Sequence, residues 1–147
     1  MARKEAKKQN KNKKIKVFNQ AKVVGYPVGD FLIRVKNASL AMKKTIEVPF
    51  TNYIKNVAKA LERERYVDEV EEKEGILTLR LVYRSKEPVL TDIKLVSKPG
   101  LRVYINSDEL GKRRKPTILL ISTPQGVLSS KEALKKRLGG EVIAEIL

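Results

Sequence analysis

Two sets of side chains in this sequence have the types that chemistry requires: the adjacent carboxylates Asp68-Glu69 and Glu71-Glu72, and the hydroxyl pair Ser122-Thr123. Paired carboxylates do acid–base work only when burial or a neighbour pushes their pKa values apart. Strand alternation sends adjacent residues to opposite faces, and nothing in the pattern buries these acids. Ser122 and Thr123 sit after a strand, at a turn, but a hydroxyl nucleophile needs a base and a strained turn. The chain has no histidine and no cysteine, and no glycine flanks the pair. Imidazole and thiol catalysis, disulfides and the commonest transition-metal sites are thereby removed. No catalytic residue, no cofactor and no small-molecule substrate is expected, and a reducing compartment fits.

What remains is charge. The 147 residues carry 32 Lys and Arg against 17 Asp and Glu, a net charge of +15. Such a field attracts polyanions, so nucleic acid or an anionic membrane is the partner class. The longest aliphatic run, residues 118–121, falls far short of the roughly 20 apolar residues of a membrane span. The Lys-rich N-terminus has no apolar stretch after it and does not read as a secretory signal, so a cytoplasmic location is expected. Within the chain, Lys98 and Arg102 flank a tight turn. Tyr104 follows on the same strand face as Arg102 and Asn106, opposite Leu101, Val103 and Ile105. Cations beside an outward ring suit RNA, where a base stacks on an aromatic; a core tyrosine is the competing explanation. The turn Thr123-Pro124-Gln125-Gly126 offers hydroxyls and N–H groups to a phosphate or base edge, although turns need Gly and Pro whatever they bind.

The elements that position these groups follow from hydrophobic period. Residues 1–16 hold eight cations against Glu5, a net +7, too polar to offset ordering entropy; residues 1–24 are expected to be a disordered basic extension. After Tyr26-Pro27, helical spacing of Val28, Phe31, Leu32, Val35, Ala38 and Met42 predicts a helix. A strand over 45–48 follows, then a helix capped by Thr51 or Asn52, with Ile54, Val57, Ala58 and Leu61 inward. Its outer face shows Lys55, Lys59, Glu62 and Arg63. Alternation over 67–71 and 77–83 predicts a hairpin. The second unit reads as strands over 93–96 and 101–105, a basic loop with Lys112, Arg113, Arg114 and Lys115, and a strand over 118–122. Ser129 and Glu132 form a capping box opening a helix through Leu138, with Gly139 as its left-handed cap, before a strand over 141–146. The expected class is α+β in two small domains. Residues 25–86 form helix-strand-helix-strand-strand, and residues 87–147 a mostly antiparallel sheet with a short helix.

Six segments then fall in register: Asp30-Phe-Leu-Ile-Arg34-Val-Lys-Asn37-Ala38; Val48-Pro49 with Ile54-Lys55; Ser97-Lys-Pro-Gly-Leu-Arg-Val-Tyr104; Ile121-Ser-Thr-Pro-Gln-Gly126-Val-Leu; Lys131-Glu-Ala133; and Gly139-Gly-Glu141. In order and spacing they resemble the small-subunit ribosomal protein eight family over roughly residues 27–147.

The resemblance implies two α+β domains and early, direct binding to a helical region of 16S-type small-subunit rRNA, beside neighbouring small-subunit ribosomal proteins. Carried over by position, Ser122, Thr123 and Gly126, with Lys98, Tyr104 and Glu141, read the irregular core of the RNA helix. Arg34, Asn37 and Lys55 support backbone contacts, and Glu141 accepts from base amino groups or orients a cation. Arg102 joins the set through its place beside Tyr104. The sequence departs from the family pattern in three places. Pro124 replaces the second serine of the usual Ser-Thr-Ser-x-Gly turn, removing a hydroxyl and an N–H. The stretch Lys115-Pro116-Thr117-Ile118-Leu119-Leu120 stands where a glycine-rich one is usual, after an unusually charged loop. The first 24 residues precede the usual start, so no family role transfers to them. The rival expectation is an architectural protein that binds duplexes without sequence preference.

Overall fold

The computed structural model describes residues 26–114 and 116–147; the extension expected over 1–24, and Lys115 of the basic loop, lie outside them. The chain runs α1 (Pro27–Leu40), β1 (Thr45–Pro49), α2 (Asn52–Arg63), β2 (Val67–Lys73), β3 (Ile76–Leu81) and a short ribbon, β4 (Tyr83–Arg84) with β5 (Glu87–Pro88). It continues β6 (Ile93–Leu95), β7 (Tyr104–Ile105), α3 (Ser107–Lys112), β8 (Ile118–Thr123), β9 (Gly126–Ser129), α4 (Ser130–Lys136) and β10 (Gly140–Ile146). This is an α+β fold, and its first five elements follow the expected order.

Local chemistry sets most boundaries. Pro27 stands at the start of α1, where its missing N–H is no loss. The helix ends as Met42 enters the left-handed region (φ 59°) and the Lys43 N–H donates to the Ala38 carbonyl at 2.9 Å. Met42, expected on the apolar helix face, therefore lies past the helix and is 49% exposed. Thr51 caps α2 by accepting from the Ile54 N–H at 3.1 Å. The Ser129–Glu132 capping box opens α4 as expected. Its left-handed cap is Arg137 (φ 54°), not Gly139. The glycine pair has a steric reason instead. A Cβ on Gly139 would sit 2.5 Å from the Ile105 carbonyl oxygen, and one on Gly140 2.0 Å from that of Ser122.

Two antiparallel sheets carry the fold. The first has the order β1-β3-β2. The second has the order β6-β10-β8-β9, with β7 also pairing to β10. One core joins them: Leu32 and Val35 of α1, Val57 and Leu61 of α2, and Leu77 and Leu79 of β3 pack in one cluster with Leu120, Val127, Ile143 and Ile146. A second, smaller core lies on the other face of the five-stranded sheet, where Leu119, Ile121, Leu128 and Val142 meet Leu110 of α3 and Ala133 of α4. The second sheet is thus covered on both faces, which explains its nearly continuous apolar runs.

Three stretches of the second unit differ from expectation. The stretch over 107–112, read as part of a loop, is the six-residue helix α3, capped by the Asn106 side chain accepting from the Glu109 N–H at 2.8 Å. The turn at 123–126 does not lead into a helix. It joins β8 to β9, a strand whose Val127, Leu128 and Ser129 are all buried and so show no alternation. The strand over 101–105 is also shorter, because Leu101 bonds back to Lys98 and is 64% exposed.

Candidate nucleic-acid interface

The site is organised by β10. Glu141 lies opposite Tyr104 of β7 on one side and opposite Ser122 of β8 on the other. Residues directly across a ladder share a sheet face, so Tyr104, Glu141 and Ser122 form one row. Tyr104 is 67% exposed, which places the ring in solvent as alternation required. Glu141 and Ser122 are half-buried. The missing side chain of Gly140 lets β10 lie close against the Ser122 carbonyl of β8 at this point.

The turn before β7 supplies the cations. Lys98 and Leu101 exchange two backbone hydrogen bonds of 2.9 Å around Gly100 (φ 82°), leaving the Lys98 side chain exposed. Arg102 donates from Nη1 to Glu141 Oε1 at 3.0 Å, and its guanidinium lies 5.7 Å from the centre of the Tyr26 ring. Glu141 thus holds the Arg102 guanidinium in the row. An exposed pair of this kind adds little stability but fixes where the arginine points.

Two residues that sequence reasoning missed complete the cluster. The Tyr26 hydroxyl, just before α1, donates to the Ser97 carbonyl at 2.7 Å. Tyr53, in the first turn of α2, lies beside the Ser122 hydroxyl. Burial raises both phenol pKa values; the Arg102 charge opposes this at Tyr26, and the Ser122 hydroxyl opposes it at Tyr53. Tyr53 carried one signal, an aromatic on the outer side of an otherwise charged amphipathic helix. Tyr26 carried none beyond its place before Pro27. Arg63, also read as outward, reaches across to the second sheet instead. Its Nη2 donates to the Val127 carbonyl at 2.8 Å, and its Nε to Glu132 Oε2 at 3.0 Å.

The turn residues divide by function. Thr123 is buried, and its hydroxyl donates to the Gly126 carbonyl at 2.8 Å while accepting from the Gln125 N–H at 3.2 Å. That hydroxyl is committed to the turn itself. Gly126 (φ 111°) has open space where a Cβ would stand, so its backbone conformation requires glycine, not crowding. Pro124 and Gln125 form the exposed tip.

The first-unit residues lie elsewhere. Arg34 and Asn37 line a shallow groove of about 590 Å³ with Ala38, Ala41, Lys43 and residues 45–47. Along α1 they stand roughly 12 and 16 Å beyond Tyr26. Lys55 follows Tyr53 by two positions and so faces away from it. Its Nζ is 3.8 Å from Glu72 and 5.8 Å from the centre of the Phe50 ring. Lys98, Arg102, Tyr104, Ser122 and Glu141 are therefore brought together with the turn of Thr123 and Gly126, whereas Arg34 and Asn37 form a second place and Lys55 a third.

A solvent-facing ring, an oriented arginine, a free lysine turn and a hydroxyl, on an α+β frame of strong positive charge, define a basic protein suited to hold a polyanion. The sequence model of the family described as Ribosomal protein S8 matches residues 26–147. The small ribosomal subunit protein uS8 of Enterococcus faecalis is 40% identical over 126 residues, covering 82% of this chain and 96% of that protein. The uS8 proteins of Streptococcus uberis and Macrococcus caseolyticus are 44% and 43% identical over the same coverage. The chain belongs to the ribosomal protein S8 family.

Proposed function

We propose that this chain is a structural, non-catalytic component of the small ribosomal subunit that binds directly to a helical region of 16S-type rRNA and supports subunit assembly, in a cytoplasmic ribosome. Neighbouring small-subunit proteins are its other partners. No helix among the described residues is long and apolar enough to cross a membrane. The observation that carries the reading is the in-register row of Tyr104, Glu141 and Ser122, with Arg102 held by Glu141 and Lys98 beside it. Phosphates meet Lys98 and Arg102, an unpaired base stacks on Tyr104, and the Ser122 hydroxyl meets a base or ribose edge. The groove at Arg34 and Asn37 takes backbone contacts. Residues 25–86 and 87–147 act as a supporting and a reading unit.

The test compares binding to an irregular RNA helix and a regular one at one fixed salt. Tyr104→Leu is expected to cost about 1–3 kcal/mol on the irregular RNA by loss of stacking, while stability stays within about 0.5 kcal/mol because the ring is exposed. Equal affinity of the parent chain for both RNAs would favour a duplex binder without sequence preference.

A further inference from the structure

The five-stranded sheet has a second charged surface that the row above does not use. Helices α3 and α4 lie over its smaller core, and between them runs an open groove of about 450 Å³, lined by Ser107, Asp108, Gly111, Lys112, Leu134 and Arg137. Lys112, Arg114, Lys131, Lys135, Lys136 and Arg137 are all exposed. Elsewhere, many cations are held by acids: Lys36 by Asp92, Arg63 by Glu132, Arg80 by Asp68, and Arg113 by Glu145. None of the six forms an ion pair with a described residue. Asp108 and Glu109, in the first turn of α3, are the nearby acids. Glu132 of α4 is occupied by Arg63 on the opposite side.

The position of Arg137 is unusual. It caps α4 in the left-handed region (φ 54°, ψ 44°), a conformation that residues with a Cβ adopt rarely and glycine adopts freely. A cation is therefore kept at the groove wall where backbone geometry alone favours glycine.

We infer that the α3–α4 groove is a second RNA-backbone site, which takes phosphates of a regular duplex continuing past the irregular helix held at Tyr104 and Glu141. The inference rests on the RNA-binding reading above. Continuity supports it: Ser107 follows Tyr104 by three residues and Arg137 precedes Glu141 by four, so both walls begin at most roughly 10–14 Å from the row, the reach of a fully extended chain. Continuity with the row already read as RNA-facing, together with the cationic rim, favours RNA over an acidic peptide, and the 2′-hydroxyls beside its phosphates can donate to Ser107 and Asp108.

The test uses the full chain carrying Lys112→Gln, Arg114→Gln and Arg137→Gly together. The last change keeps the left-handed cap while removing the cation, so folding is preserved, which circular dichroism and the melting temperature check. Affinity is measured over a salt series for two RNAs: a short irregular helix, and the same helix extended by about one turn of regular duplex. On the extended RNA we expect about tenfold weaker binding near 0.1 M salt, with a log–log salt slope smaller by about 2–3, one step per lost phosphate contact. On the short RNA we expect affinity within about twofold of the parent, because the row is untouched. An unchanged slope on the extended RNA, or an equal loss on both, overturns the second site. So does a folded triple variant that binds both RNAs normally but loses binding to polyglutamate, which would assign the groove to an acidic protein. Failure of the underlying reading shows differently: the parent chain would then not distinguish irregular from regular RNA, whatever the triple variant does.

Discussion

Arg63, the last residue of α2, donates from Nη2 to the Val127 carbonyl of β9 at 2.8 Å, so a helix of the first unit holds a strand of the second. The bond crosses from one sheet system to the other. With Tyr53 of the same helix beside Ser122, it ties the placement of the row to the packing of α2 against the shared core.

Tyr53→Phe keeps the ring and removes only the phenol hydroxyl beside Ser122. Stability is expected to fall by no more than about 1.5 kcal/mol, the upper net worth of one hydrogen bond. Affinity for an irregular RNA helix should fall while affinity for a regular duplex holds. Titration of both RNAs with the folded variant checks this, and an equal change on the two would reduce Tyr53 to a structural residue.

Ser122→Ala and Thr123→Ala, though adjacent, are expected to behave in opposite ways. Thr123 is buried with its hydroxyl bonded at both Gly126 and Gln125, so its loss should cost stability, by about 1–3 kcal/mol. Ser122 is half-exposed in the row, and its loss should cost specific RNA affinity, by about 1–2 kcal/mol. Urea denaturation and RNA titration of each variant separate the two effects. The pattern fails if Thr123→Ala melts like the parent.

Two glycines should answer alanine differently. A Cβ at Gly140 would lie 2.0 Å from the Ser122 carbonyl oxygen, so Gly140→Ala must push β8 and β10 apart and should destabilise by about 3 kcal/mol. At Gly111, inside α3, the nearest atom is Leu134 Cδ1 at 3.7 Å, an ordinary contact. Gly111→Ala should therefore gain up to about 1 kcal/mol from reduced backbone entropy. Thermal melts of the pair give the sign directly.

Alkaline pH probes the tyrosine cluster. Burial raises the phenol pKa of Tyr26 and Tyr53 above the ordinary 10.0. Above that value the unfolded chain has lost protons that the folded chain still holds, so stability falls as pH rises. Below it the contribution is fully present. Tyr26→Phe combined with Tyr53→Phe should shallow the decline in denaturation midpoint above pH 10.0, and an identical decline would place its origin elsewhere.

Much of this protein is written in local sequence. The spacing of Val28, Phe31, Leu32 and Val35 makes α1, Thr51 caps α2, and Ser129 with Glu132 opens α4, because each acts within a few residues of itself. Alternation put the Tyr104 ring outside for the same reason. The charge that favours a polyanion needs no fold at all. Tertiary structure decided the rest. Short α3 and the fully buried β9 have no periodicity strong enough to announce them, since one is six residues long and the other is covered on both faces. The use of Gly139 and Gly140 as contact points, not as a helix cap, depends on backbones more than 15 residues away. The meeting of Tyr26 and Tyr53 with Arg102, Ser122 and Glu141 is set by strand register and by α1 and α2 packing on a common core. Those are non-local choices that no window of neighbouring residues contains.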